Sequence, residues 1–383
     1  MPSRNGPRTF AWVQAGMEHP GTLIAMEVRV HTDRAAMATL REEWQELFAD
    51  AESATPFQSW EWVSTWAESF LGSRRVRLIE VRSAGRLVAL YPAYLTTGLV
   101  RILRPMGLGM SDYLHPLVRT GFEEAWGALR EAVPQAGADV ADFCQIRESL
   151  QACAWGEGIQ EAQCLVVSLP PTWDAYTKEL GKNLRYKLSK LRRQILEEGV
   201  ATVRWISPET VDEFLKVLFE VHGQRWRRRG LPGVFMGAKK QAFHRAYLER
   251  ATRSGHAWLS MLETEGKGVA VVYCLRAGRR VFYYQAGFDP AYGQLSPGTL
   301  LLAETARRAI DEGCIELDLM RGDEGYKRNF KPQNCYKNLR VVLPGSRPGA
   351  PIASRAIEAQ TRLMARLRSR FEGKGLIEGL RGK

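Results

Sequence analysis

VFYYQAGFDPAYGQLSPGTLLLAETARRAIDEGCIELDLMRGDEGYKRNF, residues 281–330, holds strand, turn, helix and strand in one uninterrupted run. Val281 to Phe288 is aromatic and β-branched, the composition of a half-buried strand. Asp289-Pro290 through Gly293 punctuates its end. Ser296 suits an N-cap and Pro297 the first helical position, and Leu301, Leu302, Ala306, Ala309 and Ile310 follow at helical spacing. Glu312-Gly313 stops that helix, and Cys314 to Met320 is a second strand running into Arg321-Gly322-Asp323-Glu324. A helix start beside a strand end turns backbone N–H groups toward a phosphate-bearing ligand. This order alone admits any phosphate-binding α/β protein.

The chain around this stretch has 383 residues, enough for two domains with sizeable cores. With 45% hydrophobic and 25% charged residues the composition is that of a soluble globular protein. No apolar run approaches the roughly 20 residues that span a bilayer, and residues 1–25 lack the apolar core of a signal peptide. They read as a disordered tail or an upstream start. The six cysteines are scattered, with no CxxC pair and no histidine at ligand spacing. Buried reduced thiols are expected, with no metal and a cytoplasmic location. The net charge of +12 calls for an anionic partner, whether nucleic acid, membrane surface or phosphate-bearing small molecule.

Two halves share one element order: strand, helices, hairpin strands, an extended segment, helix, strand. In the first, Met26 to Val30, the helices of 34–49 and 60–70, and the strands 76–82 and 87–95 lead to a glycine-rich loop at 107–112, a helix at 122–133 and strands at 141–146 and 163–169. Pro170-Pro171 is the natural boundary. The second half opens on a basic helical stretch, Trp173 to Glu198, and continues through a strand at 200–206, helices at 211–228 and 243–254, and a hairpin about Glu265-Gly266-Lys267. The expected division is a tail at 1–25, domains at 26–170 and 171–345, and a basic amphipathic helix at 346–383. That last helix suits an anionic membrane surface, a partner, or packing on its own protein.

The second half resembles the GNAT-superfamily acyltransferases of the CelD-like, cellulose-biosynthesis type, relatives of the FemABX peptidyltransferases. The resemblance is carried by Lys182-Asn183-Leu184-Arg185, Arg225-Trp226 with Gly230, Phe282 to Phe288, Ser296-Pro297-Gly298, and Asp318-Leu319-Met320-Arg321-Gly322-Asp323-Glu324 followed by Tyr326-Lys327 and Phe330. It extends weakly to Pro56-Phe57-Gln58-Ser59 and Ser111-Asp112-Tyr113 in the first half. It implies two tandem GNAT-like folds of α+β class, each a mixed sheet flanked by helices, with an acyl-CoA donor and an amine or hydroxyl acceptor. The donor would lie against Gln285, Ala286, Gly287, Ser296, Pro297, Gly298 and Thr299. One departure stands out. Where GNAT pyrophosphate loops carry Q/R-x-x-G-x-G/A, this chain has Gln294-Leu295-Ser296-Pro297-Gly298-Thr299, and Pro297 removes a backbone donor from the first glycine position.

Acyl transfer from a thioester needs an uncharged nucleophile, stabilisation of the developing oxyanion, and a proton for the leaving thiolate. Lys327 matches a FemABX lysine in a K-x-x-F ending, where it is thought to stabilise negative charge; it also reads as a surface lysine. Tyr326 is the candidate acid or a packing tyrosine. Asp318, inside an apolar strand, is a base or the buried partner of Arg321 or Arg185. Glu324 is the alternative base or an exposed acid. Arg321, Asn183, Arg185, Arg225, Trp226, Asp112 and Gln58 are acceptor-binding candidates, set against solvated helix faces and turn caps. His222 reads as a core histidine. The leading function is an acyl-CoA-dependent N- or O-acyltransferase, an acetyltransferase first, acting on a polysaccharide, cell-envelope or other anionic acceptor, with peripheral contact to the membrane or an envelope-synthesis complex. The alternatives are an aminoacyl-tRNA-dependent transferase and a non-catalytic module.

Overall fold

Near-continuous buried runs, as in Arg86–Leu95 and Lys267–Ala277, build the central strands, and the elements come from a computed structural model describing residues 8–13, 25–150, 155–227, 233–345 and 349–371. Along the chain these are β1 (Arg8–Val13), β2 (Ala25–His31), α1 (Ala35–Thr39), α2 (Arg41–Asp50), α3 (Trp60–Trp66), β3 (Arg75–Ser83), β4 (Arg86–Leu95), β5 (Ile102–Pro105), β6 (Leu117–Val118), α4 (Ala125–Ala132) and β7 (Val140–Arg147). Then follow β8 (Ile159–Ser168), α5 (Trp173–Glu179), α6 (Lys182–Leu191), β9 (Thr202–Trp205), α7 (Val211–Arg227), α8 (Ala238–Arg253), β10 (Ala257–Thr264), β11 (Lys267–Ala277) and β12 (Arg280–Phe288). The chain closes with α9 (Pro297–Asp311), β13 (Glu316–Arg321), α10 (Gly325–Arg328), β14 (Asn334–Pro344) and α11 (Ala350–Phe371). No described helix is long and apolar enough to cross a membrane.

The described residues divide into two units, those within 1–162 together with 337–371, and those within 163–336. In the first, β1 to β4 pair antiparallel in sequence order, β5 joins β4 antiparallel, and β5 meets β7 in parallel. β14 then closes the sheet antiparallel to β7. The core under α4 gathers Val28, Ile79, Val88, Tyr91, Phe143 and Trp155. Buried Asp142 accepts hydrogen bonds from Arg104 on β5 and Arg340 on β14, so an ion-pair network ties three strands. α11 lies on this unit through Ile357 and through Thr361, whose hydroxyl accepts from Arg340.

The second unit repeats the pattern. β9, β10, β11 and β12 pair antiparallel, β12 meets β13 in parallel, and β8 closes the sheet antiparallel to β13. Its core joins this sheet to α6 and α9 through Leu188, Leu191, Leu300, Leu301, Phe330 and Tyr176. Each closing strand thus comes from the other half of the chain, and no residue-level repeat announces that. A second correspondence is a bulge. β7 carries one extra residue against β14, with Gln145 at φ 53°, and β13 carries one extra against β8, with Met320 at φ 62°. A non-glycine residue at positive φ is costly unless its surroundings hold it there. In both places a carboxylate does so: Glu161 accepts from the Gln145 N–H at 2.8 Å, and Asp318 accepts from the Met320 N–H at 2.7 Å.

Three expectations change. The stretch expected as a tail carries a strand, Arg8–Val13, paired with β2; residues 1–7 and 14–24 lie outside the described residues. The basic stretch 173–198 is two helices, because Leu180 leaves helical geometry at ψ 147° and Gly181 at ψ 143°. β14 had no counterpart among the expected strands, its alternation being broken by Asn334, Lys337, Asn338 and Arg340.

Candidate active site

Everything that shapes the site follows from the bulge in β13. The parallel ladder between β12 and β13 lasts three pairs, Arg280 with Glu316, Val281 with Leu317 and Phe282 with Asp318. β12 then continues to Phe288 on β11 alone, while Met320 bends β13 toward β8. The strands part, and a cavity of about 600 Å³ opens between them. One wall is β12 from Tyr283 to Phe288; another is Leu319 to Arg321 with Glu324, Tyr326 and Lys327; the start of α9, Ser296 to Thr299, forms a third. His222 of α7, Val234, Pro290 and Gly293 complete the lining.

α9 starts at the expected position, but the Ser296 side chain makes no capping hydrogen bond. Ser296 sits in the left-handed region at φ 47°, and Pro297 takes the first helical position, where its missing N–H has no intrahelical role to lose. The proline therefore removes less than its place in the motif suggested. Gly298 and Thr299, in the first turn, line the cavity, and the helix dipole adds positive character there.

The turn after β13 is closed by charge. Lys327 is 4% exposed; its ammonium donates to the Arg321 carbonyl at 2.9 Å and the Gly322 carbonyl at 3.4 Å, and pairs with the Glu324 carboxylate at 2.8 Å. Gly322 stands at φ 109°, and a Cβ there would lie 2.6 Å from a Glu324 oxygen, so this approach requires glycine. Asp323 pairs with Arg328. Tyr326 is 43% exposed at the cavity edge.

Behind β12, α7 is seated by Gly287, where an added Cβ would fall 2.7 Å from Val221 Cγ2 and 3.6 Å from the His222 backbone nitrogen. His222 is buried, its ring in a T-shaped contact with Phe235 at 4.8 Å between centroids; His244 of α8 makes a T-shaped contact with Phe235 at the same distance. Burial, with His222 and Lys240 nearby, lowers the His244 pKa to about 3, so that imidazole is neutral. His244 Nδ1 and the Tyr273 hydroxyl stand 3.5 Å apart, and Tyr273 packs against Tyr284 of the cavity wall.

Of the expected donor residues, Gln285, Ala286, Gly287, Ser296, Pro297, Gly298 and Thr299 all line this one cavity, together with Arg321, Glu324, Tyr326 and Lys327. Asp318 does not line it; its carboxylate is buried under the Met320 turn. Asn183 and Arg185 are exposed on α6, Arg185 donating to the Leu180 carbonyl at 3.3 Å. Arg225 and Trp226 fall on α7, but their side chains lie outside the described residues, as does Gly230. Gln58 and Asp112 belong to the first unit. Gln58 is buried, bonding Thr55 and the His115 carbonyl, and the Asp112 carbonyl accepts from Asn338 at 2.6 Å. His222, Tyr284 and Met320 were not expected at a site. Apolar helical spacing hid the first, and the bulge that brings the third, still buried, to the cavity wall leaves no mark in strand alternation. Among the described residues no cluster of histidine, cysteine or acidic side chains is placed to hold a metal ion.

Residues 182–328 match the family model described as acetyltransferase (GNAT) domain. The matched segment lies within the second unit, whose fold is mixed α+β of GNAT-like type. Among solved structures, the chain resembles FemX with a TM-score of 0.59 at 12% identity, over 79% of this chain and 96% of that one. It resembles a conserved protein of unknown function from Bacteroides thetaiotaomicron VPI-5482 with a TM-score of 0.55 at 13% identity, over 82% and 99%. A third likeness is the C-terminal DUF2156 domain of a candidate lysylphosphatidylglycerol synthetase from Agrobacterium fabrum, TM-score 0.54 at 15% identity, over 85% and 97%. At these identities the likeness is one of fold. No curated protein matches the chain.

Proposed function

We propose that the protein is an acyl-CoA-dependent N- or O-acyltransferase, an acetyltransferase first, whose donor site is the cavity between β12 and β13. The observation that carries this reading is the parting of a parallel strand pair beside the start of α9. An elongated donor with amides in its arm and phosphates at one end fits there. The edge of β12 from Gln285 to Phe288 faces the arm, and the first turn of α9 faces the phosphates. The donor supplies a thioester carbonyl carbon. The chain's own groups hold it against β12, place Arg321 and the backbone of the splayed strands near the carbonyl oxygen as it gains charge, and offer the Tyr326 phenol as the proton source for the departing sulfur. Lys327 keeps the 321–327 turn closed and adds positive charge from behind it.

The acceptor is anionic in this reading, as in a polysaccharide or cell-envelope precursor. Lys182, Lys187, Lys190 and Arg193 are exposed on α6 and the turn after it, and none has an ion pair among the described residues. Asn183 and Arg185 share that surface, and Arg225 and Trp226 at the end of α7 remain candidates for the acceptor side. α11 exposes Ile352 and Leu363 among Arg355 and Arg366, a composition suited to peripheral contact with an anionic surface. The same cations and the charge of +12 support one alternative, an aminoacyl-tRNA donor.

Calorimetry with acetyl-CoA and with charged tRNA separates the two, and thiol release across a panel of amine and hydroxyl acceptors tests the reaction. Binding of acetyl-CoA with acceptor-dependent thiol release is expected. Salt-sensitive binding of charged tRNA with no binding of acetyl-CoA would replace the first reading with the second.

A further inference from the structure

The acyl-transfer reading leaves one proton without a destination, the one the acceptor's amine or hydroxyl must lose on attack. Two carboxylates near the splayed strands are already engaged. Asp318 Oδ1 accepts from the Met320 N–H at 2.7 Å and the residue does not line the cavity. The Glu324 carboxylate is held in an ion pair with Lys327 at 2.8 Å, inside the closed turn. His222 lines the cavity, is 3% exposed, and belongs to the residue type whose ordinary pKa lies closest to neutrality.

Its position is fixed by packing. The bare Cα of Gly287 lets α7 approach β12 so closely that a methyl group would strike Val221, and that approach carries His222 to the strand that faces the donor. Phe235 supports the ring in a T-shaped contact at 4.8 Å. The titratable neighbour of the imidazole is His244 of α8, which in turn has Lys240 of α8 and Tyr284 of β12 beside it. His244, wholly buried, is neutral and adds no positive charge against a second protonated ring.

We propose that His222 is the catalytic base of this site, taking the acceptor's proton as the new bond forms. The acceptor's nitrogen or oxygen bonds to the acyl carbon, its proton passes to the imidazole, the carbon–sulfur bond breaks, and the thiolate takes the Tyr326 phenolic proton. Solvent returns a proton from imidazolium to phenolate, so no further reactant is consumed. This rests on the acyl-CoA reading of the cavity.

The test uses full-length protein with acetyl-CoA, water and glucosamine serving as acceptor probes, and His222→Asn and His222→Gln as variants. Both variants are expected to bind acetyl-CoA within about twofold of wild type by calorimetry. Thiol release is expected to fall about a hundredfold or more, the scale of a lost general base, in kcat with KM nearly constant, and the acidic limb of the pH–rate profile should disappear. Unchanged kcat with the acidic limb retained overturns the proposal, as does a loss confined to donor binding, which marks a packing role. Absence of acetyl-CoA binding by wild type defeats the donor reading itself, and His222 as base falls with it. Ring NMR of wild-type protein requires neither turnover nor a folded variant. His222 signals that neither titrate between about pH 5 and 9 nor move on addition of acetyl-CoA also overturn the assignment.

Discussion

At the scale of single residues, Asp318 shows how one side chain shapes a site that it does not line. A carboxylate flanked by Leu317 and Leu319 is expensive to bury without a partner, which is why the sequence marks it. One partner is a backbone N–H two residues on, and the bond holds Met320 at positive φ. Asp318→Ala should destabilise the protein by about 1–3 kcal/mol, the cost of a buried donor left unsatisfied. Asp318→Asn keeps an acceptor oxygen and should lose well under half of that, both read from urea denaturation. Equal losses in the two variants would deny the hydrogen bond its role. His244 makes a second residue-level prediction. Its folded pKa of about 3 lies below the usual 6.5, so the unfolded chain binds more protons between those values. Stability attributable to His244 is complete above about pH 6.5 and falls by up to about 1.4 kcal/mol per pH unit on acidification toward 3. Between about pH 6.5 and 4.5 the lowered carboxyl of Glu80 does not yet contribute. Denaturation of His244→Gln in that window should show a flatter pH dependence than wild type.

At the scale of elements, the seating of α7 on β12 decides which residues share the cavity. Gly287→Ala places a methyl group 2.7 Å from Val221 Cγ2 and should cost about 1–3 kcal/mol as an overpacked contact. Val221→Ala in the same chain removes the clashing methyl, so the double variant should be more stable than the sum of the singles, a coupling that denaturation can measure. The helix start at Ser296-Pro297, the hairpin about Glu265-Gly266, and the strand at 280–288 were all legible, because local residues dictate them. The break at Leu180-Gly181 was not, since an apolar stripe runs on past it and backbone geometry stops the helix. The bulge in β13 was hidden for a related reason. It is held by a side chain bonding two residues along, and alternation of apolar residues does not record such a bond.

At the scale of the whole molecule, contacts between residues far apart in sequence complete each unit. Arg340 of β14 reaches Asp142 of β7 across 198 positions, with bonds of 2.6 Å to both carboxylate oxygens. Asp142 is 1% exposed, so removing this partner strands much of its charge in the core. Arg340→Ala should destabilise by up to about 3–5 kcal/mol, moderated by the remaining bond from Arg104, and chemical denaturation reads the loss. By itself the sequence determined the element types, the basic charge, the α+β class and the cluster of residues from Gln285 to Lys327 that share the cavity, because those follow from local composition, spacing and motif. Only the tertiary structure decided that β8 and β14 each close the other half's sheet, that β12 and β13 part after three pairs, and that His222 faces the same cavity as Lys327. Strand exchange and splaying depend on which distant edges meet and on a turn held by Asp318, and neither is encoded in the periodicity of any one segment.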